Sequence, residues 1–426
     1  MKIDSKIVVT GYGFVTPLGN NKKIFLEKYE KQLTSIHEDS NLKSLNIGID
    51  RASKIDIDSS SFINKKSLKY ISRPAQAAQL AVRDALVSAG LLELEQSDGH
   101  LEPGFRFRYD PFEVGIYVSV GMISADISIV VPSTKAALRA TRNATLGGEV
   151  NDNNYYYDFD IKKYGEEGIN RSNPLLVLHS LTNLGLSNIA INYQIKGSNV
   201  AFNSFNSGSG AALESAIIDL LEGKINYALV GGHDDWINFF GVTTAAKLRY
   251  PDRSFQKFIP AEGSVFLLLE RSEHAIERQM NNMIDKIELL ETNAISISTR
   301  AHNAQMEIDF TAVPTLADLK KLYSPFVKYE CSPLTVVTSY DLNVGKQNIE
   351  EQNIEEQAIK EIFLDDFTNL NLNHLQGNLG AAQLFWQILL PLFLMKTESK
   401  TLISVLGPLR TQYALLCNYQ SNVNPV

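Results

Sequence analysis

The sequence predicts an α/β protein made of two similar halves, residues 1–270 and 271–426. Three observations carry that expectation. Short β-branched apolar runs alternate with longer amphipathic segments throughout the 426 residues. No Gly/Ser- or Pro-rich linker interrupts the alternation. The second half repeats the theme of the first and ends on what reads as a closing antiparallel pair. Strands that alternate with helices bury their apolar faces by packing helices onto sheets.

In the first half, residues 7–10 form a β-branched run, and Gly11-Tyr12-Gly13 after it reads as a turn. Residues 74–89 carry apolar side chains at helical spacing, with proline at the start and Gly90 at the end. Residues 114–120 are a continuous apolar run, typical of a strand buried on both faces, closed by Gly121. Residues 200–203 read as a short strand and 210–221 as a helix stopped by Gly223. An apolar strand over 227–230 is ended by Gly231-Gly232, and another over 264–269 closes at Glu270. Residues 147–171, rich in Asn, Asp and Tyr, read as an insertion forming an exposed loop or short helices.

In the second half, 284–290 and 295–297 are strand-like, 316–323 and 355–363 helical, and 334–338 an apolar strand. Residues 381–395 form a mostly apolar helix, and 401–405 with 412–416 make the closing pair. Residues 347–357 hold a tandem Gln-Asn-Ile-Glu-Glu copy, which reads as a lengthened, solvated helix start.

Composition narrows the function. Apolar residues make up 44% and charged residues 21%, enough apolar content to exclude a disordered chain. Lys plus Arg total 40 against 48 Asp plus Glu, a net charge of −8, which argues against a general nucleic-acid binder. Two cysteines, Cys331 and Cys417, exclude a disulfide scaffold and a Cys-x-x-Cys zinc site, and both read as small buried hydrophobes. The seven histidines lack His-x-x-x-His spacing, so no metal or other cofactor is expected. The opening residues carry acid and no apolar signal region. The longest apolar stretch, 384–395, is interrupted by Gln387 and Pro391 and is too short to cross a bilayer. A cytoplasmic chain without membrane insertion is the expectation.

Several segments, in order, resemble the β-ketoacyl-acyl-carrier-protein synthase family of the thiolase-like fold. They are Val8-Val9-Thr10-Gly11-Tyr12-Gly13 through Gly19, residues 197–216 followed by 223–232, Phe258-Ile259-Pro260-Ala261-Glu262-Gly263-Ser264, and Leu379-Gly380-Ala381-Ala382. Together they cover nearly the whole chain. The resemblance implies two βαβαβαββ halves stacked as five layers, αβαβα, and a dimer paired through the strand that leads to the family's nucleophile. Val200, Ala201, Phe202 and Phe205 are the interface and tunnel candidates there.

The family's reaction needs a thiol to hold the acyl chain as a thioester, two imidazoles for decarboxylation and enolate stabilisation, and backbone N–H donors for an oxyanion. By this resemblance Asn206 stands where the family has Cys, and an amide cannot form a thioester. Ser204, Ser207 and Ser209 supply hydroxyls, but no Gly-x-Ser-x-Gly elbow is present. Asp341 stands at the first His position, where a carboxylate would repel a malonyl carboxylate and an enolate. Gly377 stands at the second, or Asn378 if the loop slips by one, with His374 nearby and Leu372 at a family Lys. The family's C-terminal glycine loop is replaced by Gly407-Pro408-Leu409-Arg410-Thr411-Gln412, where Arg410 could pair with Asp341. No catalytic residue is therefore expected; Asn206, Asp341 and Gly377 mark vestigial positions.

The resemblance then implies a chain length factor-type subunit, as in type II polyketide and aryl-polyene systems. Such a chain is no enzyme by itself; it pairs with an intact ketosynthase and shapes the tunnel for the growing acyl chain. Met122 and Ile123, after the 114–120 strand, are tunnel or interface candidates. An acidic acyl carrier protein is expected to dock mainly on the partner, or on a local basic patch at Lys247, Arg249 and Arg253. Two alternatives stand beside this. One is a malonyl-carrier-protein decarboxylase supplying a starter unit, although family members of that kind keep both His. The other is a homodimeric scaffold or binding pseudoenzyme.

Overall fold

Two sheets face each other across a layer of helices in the computed structural model. It describes residues 7–63, 68–69, 71–95, 104–121, 127–142, 155–171, 181–203, 207–248, 258–280, 290–298, 316–324, 334–338, 354–363, 367–394, 399–406 and 412–419. Strands of the two main sheets are numbered β1–β10. The first sheet contains β1 (Ile7–Val15), β2 (Val114–Val120), β3 (Asn199–Phe202), β4 (Tyr227–Asp235) and β5 (Glu262–Arg271), in the order β1-β5-β4-β2-β3. The second contains β6 (Leu290–Ser298), β7 (Leu334–Thr338), β8 (Phe367–Leu370), β9 (Ser399–Leu406) and β10 (Gln412–Tyr419), in the order β6-β10-β9-β7-β8.

The two orders are the same pattern. In each sheet the first strand and the third lie antiparallel to the strand between them, and the remaining pairs are parallel. The likeness reaches an irregularity. The pairing of β1 shifts between Val9 and Gly11, leaving out Thr10. That of β6 shifts between Thr292 and Ala294, leaving out Asn293. Each omitted residue is the fourth of its strand, a bulge at a matching place in both sheets.

Strand periodicity sorts the side chains into layers, because successive residues point to opposite faces. Val230, Val265 and Leu267 face inward, toward α3 (Ser207–Leu221) and α7 (Gln383–Leu394). From the other sheet Val337, Ile403, Val405 and Leu415 meet the same two helices. Leu229, Phe266 and Leu268 face outward, against α1 (Arg73–Ser88) and α2 (Leu184–Asn192). Behind the second sheet, Val336, Leu402 and Ala414 pack with α5 (Leu316–Tyr323) and α6 (Ile354–Phe363). A further helix, α4 (Phe239–Leu248), contributes Val242 and Ala245 to that third cluster. The result is α-β-α-β-α. The helix α7 carries no charged residue because it lies between two sheets and has no wet face.

Two expectations from the sequence are corrected. Gly11 and Gly13 are no turn; they lie within β1. A Cβ at Gly11 would stand 2.3 Å from Ala85 O, and one at Gly13 would stand 2.0 Å from Ala81 O, so the glycines let α1 lie close on the strand. Gly231 and Gly232 do not end their strand either; β4 runs on to Asp235. Of the other elements, β2 and α5 have the expected bounds and β9 and β10 are antiparallel, while Leu290, the last residue of the run read at 284–290, and the separate run at 295–297 belong to one strand, β6. Of the insertion, Tyr155–Phe159 pairs with Leu138–Arg142 and short helical turns follow through Arg171. Residues 147–154, 284–289 and 347–353, and Cys331 and Met395, lie outside the described residues. Cys417 is buried in β10. No described helix is long and apolar enough to cross a membrane.

Candidate functional site

The parallel strands β2, β3 and β4 end on the same side of the first sheet, and α3 begins there. The N-terminal turn of α3 is wedged between halves. Ser209 Oγ donates to Ala381 O at 2.7 Å and lies 3.4 Å from Ser119 Oγ at the end of β2. Ser209 is fully buried, so its hydroxyl serves this junction. Asn206, the vestigial nucleophile position, lies just before α3 and outside the described residues, as do Ser204 and Phe205.

Ala381 belongs to a short 3-10 turn, Gly380–Ala382, that precedes α7. Its backbone N–H donates to Asp234 Oδ2 at 2.9 Å. Asp234 is 1% exposed, and the glycines around it leave room for its carboxylate and nothing more. A Cβ at Gly121 would fall 1.6 Å from Asp234 Oδ1, and one at Gly380 would fall 2.0 Å from Oδ2.

The second vestigial position is well described. Gly377 has φ +75°, and a Cβ there would stand 2.7 Å from Ile259 O. No imidazole fits on that backbone. Asn378 is buried and its Oδ1 accepts the Gly380 N–H at 2.8 Å. Its backbone is zipped to the approach to β5, through Asn378 N to Ile259 O at 2.9 Å and Ala261 N to Asn378 O at 3.2 Å. Leu372 is buried in the core, and His374 is exposed. Gln376 is fully buried, and neither side-chain polar atom has a hydrogen-bond partner among the described residues.

On the opposite face of β4, His233 and Asp235 point toward the outer helices. Burial pushes the His233 imidazole down to about 4, so it is neutral. Its Nε2 would stand 2.8 Å from a Cβ at Gly185 of α2. Asp235 is the cross-strand partner of Glu262, which is itself held by Arg73 Nε at 3.0 and 3.1 Å and by Ile55 N at 3.0 Å. Among the described residues no His/Cys/Asp/Glu group is arranged to hold a metal.

The strand β3 forms one edge of its sheet. Asn199 and Ala201 are exposed, while Val200 and Phe202 are half-buried against the central core. Met122, Ile123, Asp341, Gly407, Arg410, Arg249 and Arg253 lie outside the described residues, and so does the side chain of Lys247. Sequence reasoning missed Asp234, Asp235 and the Glu262–Arg73 pair. The available signal was two acids just after Gly231-Gly232-His233, passed over because the strand was read as ending at the glycines.

Residues 4–275 match the family model of the beta-ketoacyl synthase N-terminal domain. The chain belongs to the beta-ketoacyl synthase family. Among curated relatives, 3-oxoacyl-(acyl-carrier-protein) synthase 1 of Haemophilus influenzae is 22% identical over 287 residues, 64% of this chain. The match spans 61% of that relative's length. Solved structures extend the likeness over the whole synthase fold. The ishigamide ketosynthase/chain length factor aligns over 98% of this chain and 100% of its own, with TM-score 0.68 and 13% identity. A beta-ketoacyl synthase from Burkholderia phymatum STM815 aligns over 97% and 99%, with TM-score 0.68 and 14% identity. A type II polyketide synthase acyl-carrier protein in complex with its ketosynthase, bound to the hexaketide, gives 98% and 99%, with TM-score 0.61 and 16% identity. This synthase-family chain therefore has the ketosynthase, thiolase-like fold.

Proposed function

We propose that this chain is a chain length factor-type subunit: a synthase-family protein without the condensing chemistry that completes a dimer with an active ketosynthase. The observation that carries the reading is the segment Gly377–Asn378. One residue cannot bear a side chain, and the other has its carboxamide committed to capping the turn before α7. The sequence adds Asn206 in place of the thiol and Asp341 in place of the other imidazole.

In this reading the partner's thiol carries the acyl chain and performs the condensation. This subunit supplies the wall toward which the chain grows, with Met122 and Ile123 as the candidate gate. The open edge of β3, with Val200, Ala201 and Phe202, receives the partner's strand. The carrier protein docks mainly on the partner. We take residues 1–270 and 271–426 as the two halves of the duplicated fold.

The test is reconstitution. The isolated chain should condense no acyl and malonyl carrier proteins, and co-expression with its ketosynthase should yield an active, stable pair. Malonyl release by the isolated chain would instead indicate a decarboxylase, and a stable homodimer indifferent to any ketosynthase would indicate a scaffold.

A further inference from the structure

We propose that Asp219 is a positioning residue for assembly: from the end of α3 its carboxylate clamps the start of β3 onto β2, so that the open edge of the sheet is already formed when a partner's strand arrives. The inference rests on the reading above, in which β3 receives the strand of the ketosynthase.

The topology creates the need for a clamp. The strand β3 has four residues and, among the described residues, pairs only with β2, through Asn199–Ile116, Val200–Tyr117, Ala201–Val118 and Phe202–Ser119. Exposed and half-buried residues alternate along it, so no residue of β3 is fully buried. A short strand bonded on one side belongs to the least stable part of a fold. If it frayed, a partner would have to order the edge while binding, and ordering costs affinity.

The carboxylate joins three elements. Asp219 Oδ2 accepts the Tyr117 hydroxyl, from β2, at 2.5 Å. The same oxygen accepts the hydroxyl of Ser198, the residue that leads into β3, at 2.8 Å. Asp219 Oδ1 accepts Lys224 Nζ, from the turn after α3, at 3.0 Å. Hydrogen bonds to an ionised acceptor are shorter than neutral ones and about twice as strong. Burial opposes the Asp219 anion, but the Tyr117, Lys224 and Ser198 donors outweigh it and hold the carboxyl below its ordinary range. Burial, and then the Asp219 contact, raise the Tyr117 phenol, which therefore stays a donor.

The strand β2 is shaped for this reach. Gly115 lies two residues before Tyr117 and so shares its face. A Cβ at Gly115 would stand 2.9 Å from Tyr117 Cε2 and 3.0 Å from its hydroxyl oxygen. The ring lies back over the glycine, which brings the hydroxyl to the carboxylate that also holds Ser198. The Ser198 carbonyl accepts Ile116 N at 2.7 Å, so this residue is fixed to β2 by its backbone and to α3 by its side chain.

The separate donors distinguish a clamp on β3 from a contribution to general stability. Ser198→Ala removes the link to β3 and leaves the Tyr117 and Lys224 bonds. Tyr117→Phe removes the link to β2 and leaves Ser198. In hydrogen exchange on the isolated full chain, Ser198→Ala should lose about tenfold protection at the amides of 198–203 bonded to β2, with 227–235 of β4 unchanged. Tyr117→Phe should lower the melting temperature yet keep protection of 198–203 within about twofold. Titrated against the ketosynthase, Asp219→Ala should pair about tenfold more weakly, because fewer chains present a formed edge. Equal exchange of 198–203 in the wild type and Ser198→Ala, or equal loosening in Tyr117→Phe, overturns the proposal. If Asp219→Ala does not fold, Ser198→Ala takes its place in the titration. The exchange experiment needs no partner, so a wild-type chain that fails to pair refutes the assembly reading, while the clamp stands or falls on exchange.

Discussion

The carboxylate of Asp234 takes the backbone N–H of Ala381 at 2.9 Å, joining residues 147 apart in the chain. The bond links a strand of the first sheet to the turn that launches the central helix of the second half. The carbonyl of the same Ala381 accepts the Ser209 hydroxyl, so the floor beneath the start of α3 hangs on this turn.

Removing the acceptor should be costly. Asp234→Ala leaves the Ala381 N–H buried and unpaired, an expected loss of about 1–3 kcal/mol in urea unfolding. Asp234→Asn keeps an acceptor oxygen and should lose less. Equal losses in the two variants would show that packing, and not the hydrogen bond, sets the cost.

Crowding at the same place gives a controlled comparison. Gly380→Ala puts a Cβ 2.0 Å from Asp234 Oδ2 on a backbone with φ +55°. It should destabilise by about 1–3 kcal/mol. Gly165→Ala meets nothing within 4 Å and should change the melting temperature little.

Assembly is tested at the sheet edge. Ala201 is exposed in the middle of β3. Ala201→Lys should leave the fold within about 0.5 kcal/mol of the wild type, yet block strand pairing by placing a charge on the edge. Sedimentation of the co-expressed pair should then show separate subunits. An intact heterodimer would move the interface away from β3.

Chemistry is tested by partial repair. Asn206→Cys supplies a thiol but no imidazole, because position 377 has no space for a side chain and Asn378 is engaged. Condensation by the isolated variant should stay at background. Turnover above that level would mean that a group outside this reading acts as the base.

Chain length is tested at Met122, which follows the strand β2 in sequence. Methionine can close a narrow apolar channel without a polar penalty. Met122→Ala in a reconstituted pair should shift products toward longer chains, by roughly one two-carbon unit, with about 2–5 kcal/mol lost if the residue is fully packed. Unchanged products from a stable pair would place the gate elsewhere.

Much of the architecture was legible because apolar periodicity reports local geometry. The run 114–120 read as a buried strand and 381–395 as a mostly apolar helix, though only the structure places that helix between two sheets. Glycine was the weak point. Gly11, Gly13, Gly231 and Gly232 serve close approach between backbones, but a turn leaves the same mark in sequence. That ambiguity cut β4 short and hid Asp234 and Asp235. The pairing of Asp235 with Glu262 is a fact of register, which depends on where β4 and β5 lie against each other and not on either segment alone. At Gly377, resemblance located the position, but only the packing against Ile259 explains why a side chain is refused there.

The pairing of Ile7 with Arg271 has a consequence for synthesis. As the chain leaves the ribosome, β1 has α1 to pack on but no strand neighbour until its partner strand emerges. At about 5–20 residues per second this wait is roughly 10–50 s. Through that interval the nascent chain carries Ile7, Val8 and Val9 without the strand that covers them in the folded protein. The second sheet closes later still, since Leu290 pairs with Tyr419. Folding is thus delayed by connectivity as much as by barrier height, and a holdase that covers the first strand during translation should raise the yield of soluble protein.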